Sequence, residues 1–278
     1  MQSIEIQNLY FYPMQVNLQD GTRIHCVRKP EAKMLDHHVE GYLKHGISIK
    51  NNDIVFDVGA NVGVFGVRVM QKAENVSVYA FEPIPEIAAA LSKNAALHGQ
   101  GKMVVIEKGV SSSNGIATFT YFPNTPALST LHPEQWDDNP GAFKEAVKST
   151  MKNPPQNMRW MRWIPSPFAG VIAWFLVRGR KQFSCELITI DEVIKQHSIE
   201  RIDLLKIDCE GSEWDVLQGV NTENWNKVNA VVAEVHDSNG RLNKTIELLK
   251  KHGFTSFEIE QEEGLSNSKM FNLFALKK

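Results

Sequence analysis

The sequence predicts an α/β fold: a seven-stranded, mostly parallel sheet with an antiparallel last strand, an N-terminal cap and a lid-like insertion. Three observations predict it. From Asn52 onward, short apolar strand-like runs alternate with helical patterns, the signature of a parallel sheet covered on both faces. A glycine-containing turn joins the first of those runs directly to a helix. The last two runs are joined by a loop with no room for a crossover helix, so they pair antiparallel.

Residues 1–50 form the cap. An alternating segment from Gln15 to Lys29 is broken by Asp20-Gly21, which supplies the backbone angles of a tight hairpin turn. Met34 to His45 then reads as a helix with Leu35, Val39, Tyr42 and Leu43 on one face and Gly46 as its stop. Residues 51–278 form the main domain. Its strands are expected at Ile54 to Val58, Val76 to Phe81, Met103 to Glu107, Ile202 to Ile207 and Ala230 to His236. Helices are expected at Val64 to Gln71, Ile84 to His98, Glu213 to Leu217 and Leu242 to His252. Thr255 to Glu260 and Met270 to Leu276 are the antiparallel pair. About ninety residues separate the third and fourth core strands, more than one crossover requires. They hold an additional strand at Gly115 to Phe122, a strand at Phe183 to Leu187, a short helix at Thr189 to Gln196 and an insertion over 132–182.

Composition bounds the function. The 278 residues include 30 basic and 32 acidic ones, a formal net charge of −2, which disfavours binding to nucleic acid by phosphate neutralisation. The charge is unevenly placed. Between Ala146 and Cys185 lie seven basic residues and no acidic one, which leaves 23 basic against 32 acidic elsewhere. The three cysteines, Cys26, Cys185 and Cys209, suggest neither a disulfide framework nor a zinc site, and MQSIEIQNLY does not read as a secretion signal. A cytoplasmic location is expected. The longest apolar run, Phe168 to Val177, would reach roughly 15 Å as a helix against a hydrocarbon core of about 30 Å.

The turn after the first core strand reads D-x-G-x-N-x-G over 57–63. A dinucleotide fingerprint would need glycine where the chain has Asn61 and Val64. Asp57 at the strand end instead suits a cofactor carrying positive charge. Glu82, at the end of the second strand, is placed to accept hydrogen bonds from two ribose hydroxyls, with Phe81, Pro83 and Ile84 beside an adenine ring. The third strand hands over to Val110 and Ser111, where a base would be hydrogen-bonded. A nucleoside-containing cofactor follows.

Acidic groups at Asp208, Glu210 and Glu213 gather where the fourth strand meets a helix, although a carboxylate at Glu213 also suits a helix first turn for structural reasons alone. The fifth strand ends in Glu234-Val235-His236, which puts an imidazole on the same sheet edge. Such a histidine, made more basic by Glu210, is a device for removing a hydroxyl proton near neutral pH. Asp208, Glu210 and His236 are therefore the candidate catalytic residues, with His132 the next histidine in line. These three also form a conceivable ligand set for a metal-assisted route. No metal is expected, and activity should survive exhaustive chelation.

The strings DVGANVG, AFEP, LLKIDCEGSEWDVLQG and EVH resemble the FkbM-type methyltransferases, enzymes of the class I Rossmann-like fold that use S-adenosylmethionine. The resemblance covers about Asp53 to Leu276. It implies that Asp57, Gly59, Asn61 and Gly63 cradle the methionine moiety, that Glu82 holds the ribose, and that Val110 and Ser111 meet the adenine. It further implies O-methylation of a hydroxyl, often in natural-product or sugar biosynthesis; the residues themselves suggest a small-molecule or carrier-tethered acceptor and in-line attack after His236 takes the proton. Cys209, Ser212 and the tryptophan-rich insertion depart from the family pattern. Trp160, Trp163 and Trp174 interleave with arginines there, and the apolar run Phe168 to Val177 reads as a capped helix that is either buried or exposed as a lid or, over 160–181, as a contact with a membrane surface or carrier. Two other functions compete: a nicotinamide-dependent oxidoreductase, disfavoured by Asn61 and Val64, and a non-catalytic lipid- or protein-binding module on the same fold. Oligomeric state is left open by the sequence.

Overall fold

The computed structural model describes residues 13–133, 140–152, 154, 161–261 and 270–277. Arg159 and Trp160 of the basic stretch lie outside the described residues. The hairpin is β1 (Met14–Asn17) and β2 (Arg23–Cys26), closed by a turn in which Asp20 accepts the Thr22 amide at 2.9 Å and Gly21 takes φ of 88°. Helix α1 (Lys29–Tyr42) begins five residues earlier than the sequence predicts. Pro30 explains the difference, because a first-turn position needs no backbone N–H and the fixed φ of proline already suits the helix.

The seven-stranded sheet starts at β3 (Ile54–Val58). After α2 (Val64–Lys72), β4 (Ser77–Phe81), α3 (Pro85–His98) and β5 (Met103–Ile106), the chain leaves this sheet. It passes through β6 (Gly109–Val110) and β7 (Gly115–Tyr121), then α4 (Pro140–Lys152), α5 (Ala169–Val177) and β8 (Lys181–Ile188). β7 and β8 pair antiparallel from Gly115↔Leu187 to Tyr121↔Lys181, and β6 joins β8 in parallel. That small third sheet bridges the two ends of the insertion; its strand β6 is too short to announce itself by periodicity. The chain returns through α6 (Ile190–Gln196), β9 (Leu204–Ile207), α7 (Glu213–Gln218), β10 (Ala230–His236), α8 (Arg241–Lys251), β11 (Ser256–Glu260) and β12 (Met270–Leu276). The final order is β11-β12-β10-β9-β3-β4-β5, with β12 antiparallel to both its neighbours. Winding therefore reverses between β3 and β9, and at that reversal two strand ends open a crevice.

Alternate residues of the central strands feed two cores. Val55, Val78, Ala80, Leu204 and Val232 pack with α2 and α3 residues on one face. Phe56, Val58, Leu205, Ile207 and Ala233 pack with α6 and α7 residues on the other. Leu18, Ile24, Ala32 and Val39 join the first core, so the N-terminal hairpin and α1 are held by the same burial as the sheet. Val147 and Met151 of α4 and Ala169 and Ala173 of α5 form a third, smaller cluster inside the insertion. At the apolar run Phe168 to Val177 the chain makes one 3₁₀ turn, Ser166–Phe168, followed by α5.

Candidate active site

The turn after β3 is shaped by three residues in the left-handed region: Gly59 (φ 73°), Asn61 (φ 49°) and Gly63 (φ 82°). A Cβ on Gly59 would stand 1.7 Å from the Asp208 carbonyl oxygen, so only glycine lets the ends of β3 and β9 approach this closely. Asparagine tolerates the left-handed conformation, and here it also makes three hydrogen bonds. The Asn61 amide donates to Glu82 Oε2 at 3.1 Å, its side chain donates to Glu31 Oε1 at 3.2 Å, and its Oδ1 accepts from Val62 at 2.7 Å. Glu82 also accepts from the Ile84 amide at 2.9 Å. Burial pushes the Glu82 and Glu31 carboxyls up to about 7, against the pull of those donors.

A cavity of about 240 Å³ runs along these strand ends. Of the residues predicted to surround a cofactor, Gly59, Asn61, Phe81, Glu82, Pro83, Ile84 and Val110 line it, and so does the catalytic candidate Asp208. Asp57, Gly63 and Ser111 do not. Asp57 is fully buried and faces Lys206, whose Nζ lies 3.0 Å from Asp57 Oδ1 and 3.7 Å from Asp208 Oδ2. Gly63 caps α2 against Leu91, and Ser111 backs onto Gly219. Lys206 escaped sequence reasoning, although a lysine inside the apolar run Leu204-Leu205-Lys206-Ile207 was the available signal. Burial opposes its charge, but Asp57 and Asp208 outweigh burial and hold the ammonium protonated. Its Nζ also donates to the Gly59 carbonyl at 3.1 Å, and Tyr42 donates to Asp208 Oδ2 at 2.8 Å.

His236 is brought to the acidic cluster. Its Nε2 lies 3.6 Å from Glu210 Oε2 and its Nδ1 3.4 Å from Glu213 Oε1. Burial lowers the imidazole's affinity for a proton, yet the Glu213 contact overrides it and the net shift is upward from 6.5. Glu213 is thus buried against His236 while accepting the Gly211 amide at 2.7 Å. Glu210 sits at φ of 53° and lines the cavity, whereas His236 and Glu213 do not, so the imidazole meets the cavity wall through Glu210. Burial, with Asp208 and Glu213 nearby, drives the Glu210 carboxyl well above its ordinary range. His132 stands 3.7 Å from Asp215 Oδ2 instead, outside the cavity wall. The histidine that does line the cavity is His38 of α1. Among the described residues, Asp208, Glu210 and Glu234 each offer a carboxylate oxygen within 4.8 Å of the others, a set with the chemistry to hold a divalent cation.

A family model for the methyltransferase FkbM domain matches residues 57–256, from the end of β3 to the start of β11. The chain belongs to that family. This FkbM-type methyltransferase is 33% identical to the 31-O-demethyl-FK506 methyltransferase FkbM of Streptomyces tacrolimicus, over 86% of this chain and 88% of that one. It is 32% identical to methyltransferase sdnD of Sordaria araneosa, over 84% and 86% of the two chains. At greater distance, 24% identity links it to the 2-O-methyltransferase NoeI of Sinorhizobium fredii, over 76% and 73%. A crystal structure of methyltransferase FkbM from Methylobacillus flagellatus superposes with a TM-score of 0.48 at 12% identity, over 87% of this chain and 51% of that one. The family implies S-adenosylmethionine as methyl donor, and the donor set fits it. The wall sets a buried carboxyl, Glu82, which can accept from hydroxyls, in the same cavity as Asp208, whose carboxylate suits a cationic group. No helix among the described residues is long and apolar enough to cross a membrane.

Proposed function

We propose that this methyltransferase uses S-adenosylmethionine to methylate a hydroxyl of a small-molecule or carrier-tethered acceptor. Relatives whose names specify 31-O- and 2-O-methylation support the choice of oxygen. The observation that carries the reading is the juxtaposition of Glu82 and the Asp208–Glu210 carboxylates along one cavity, beside the Glu210–His236–Glu213 chain. When bound, S-adenosylmethionine supplies an electrophilic methyl group. Glu82 accepts the ribose hydroxyls, Gly59 and Asn61 shape the wall beside the amino-acid portion, and Asp208 presents negative charge to the cationic end. Phe81, Pro83 and Val110 enclose the adenine.

The acceptor hydroxyl gives its proton to the Glu210–His236 pair, with Glu213 fixing the imidazole from its other nitrogen. Orientation contributes most: aligned reactants can gain roughly 7 to 11 kcal/mol, and the base adds about 10² to 10⁴ in rate. A second reading has a specific observation in its favour. His38 faces the cavity directly and would serve as the proton acceptor from the α1 side.

Calorimetry with S-adenosylmethionine, followed by mass spectrometry of hydroxylated candidate acceptors, tests the proposal. Donor binding and a methyl-sized mass gain on oxygen are expected. Binding of NAD without binding of S-adenosylmethionine would overturn it in favour of a dehydrogenase.

A further inference from the structure

The face of α5 that points away from the protein is unusual for a described surface. Phe168, Val171, Trp174 and Phe175 recur at helical spacing, and all four are at least half exposed. Trp163, just upstream, is 89% exposed. The opposite face is already satisfied: Ala169 and Ala173 are buried against Val147 and Met151 of α4. The exposed residues therefore contribute nothing to the core, and a contiguous apolar surface of this kind marks an interaction site.

Charge decides what covers it. No acidic residue occurs between Ala146 and Cys185, and Arg162, Arg178 and Arg180 flank the apolar face, all exposed. Arg178 lies over the Trp174 ring at 4.8 Å, so cation and aromatic present themselves together. An uncharged helix with an exposed aromatic face and cations at its ends matches the requirements of an interfacial element: rings at headgroup depth, guanidinium groups on lipid phosphates. At nine residues, α5 lies in an interface and does not span one.

We propose that α5 and the segment leading into it dock this methyltransferase on an anionic lipid bilayer. The docking face is tied to the cavity. Asn124 donates to the carbonyls of Phe175 and Arg178 at 2.8 and 3.2 Å, which pins the end of α5 to the segment entering Pro126–Leu128. Leu128 packs on the α4–α5 cluster and also lines the cavity. Docking therefore sets the insertion side of the cavity at the membrane surface.

Co-sedimentation of the full chain with phosphatidylglycerol–phosphatidylcholine vesicles, against phosphatidylcholine alone, tests the proposal. Binding to the anionic vesicles is expected, weakened by raising NaCl from 0.1 to about 0.5 M. R178A/R180A should lower partitioning roughly thirtyfold. W174S/F175S should lower it roughly tenfold or more. Thermal unfolding and S-adenosylmethionine affinity of both variants should match the unaltered protein, since these side chains are exposed. Equal partitioning of variants and unaltered protein, or no binding to anionic vesicles, overturns the proposal. So does a concentration-dependent dimer, by light scattering, that W174S/F175S abolishes while vesicles leave it intact, because a second copy would then cover the face. Donor binding is read separately, so its failure refutes the methyl-transfer reading and leaves the docking result standing.

Discussion

Replacing Glu82 with Gln separates the cost of this carboxyl from its use. In the protein its proton leaves near 7, compared with 4.5 for an ordinary glutamate, because burial disfavours the charge more than two amide donors favour it. A raised carboxyl binds protons more tightly folded than unfolded, so stability increases as pH falls through 7 and is lost again as pH rises. From pH 8.5 to 5.5 that single group adds about 2 kcal/mol to the stability of the unaltered protein. Glu82→Gln removes the titration. The stability difference between variant and unaltered protein, measured by urea unfolding, should therefore shift by about 2 kcal/mol across this range, in the variant's favour at high pH. Its absolute value is reduced by the amide that Gln leaves without an acceptor, a loss of about 1 to 3 kcal/mol. The same substitution should weaken S-adenosylmethionine binding by roughly 10- to 100-fold at pH 8, the loss of charge-assisted hydrogen bonds to ribose. In the unaltered protein, hydroxyls bonded to the carboxylate draw its pKa back down, so affinity at pH 6 should be about tenfold weaker than at pH 8. A stability difference flat with pH would refute the buried-charge argument. Unchanged donor affinity in the variant would refute the ribose assignment.

His236→Ala should reduce kcat by about 10² to 10⁴ and leave donor affinity within about twofold; if His38→Ala does this and His236→Ala does not, the base belongs to α1. Glu213 raises the His236 pKa, so the acid limb of kcat should lie above 6.5 and move to lower pH in Glu213→Gln, read from full pH–rate profiles. Lys206→Met leaves Asp57 buried without its cation and should cost about 3 to 5 kcal/mol in urea unfolding, much of which Asp57→Asn in the same chain should restore. Exhaustive chelation should leave methyl transfer within about twofold; abolition of activity with recovery on adding Mg²⁺ would give Asp208, Glu210 and Glu234 a metal to hold.

The parallel core was legible because its strands are apolar runs bounded by turns, and the strand ends were legible because glycine and acidic residues mark them. Asn61, Glu82 and Glu210 were found this way, and the cavity lies on them. What sequence reasoning missed depends on contacts far apart in the chain. Glu31 meets Asn61 across 30 positions and Tyr42 meets Asp208 across 166, and no local period encodes either. Asp57 was read from its place near the end of a core strand, and only the register shows it opposite Lys206. In β6, only the partner strand β8 defines two residues as strand. Glu213 was weighed as a helix first-turn acid; it occupies that position and reaches His236 as well.

The cavity is assembled from two kinds of chain. One half, where the proposed function places the cofactor, comes from the ends of β3, β4 and β9, where an added Cβ meets backbone, as at Gly59. The facing half comes from Met34, Leu35, His38 and Tyr42 on α1 and from the Pro126–Leu131 stretch, pieces that precede and interrupt the sheet without belonging to it. On the proposed function, acceptor preference can therefore drift by side-chain exchange on α1 and the insertion while the donor half stays fixed. Grafting those two stretches between relatives is the shortest route to a new acceptor on an old catalyst.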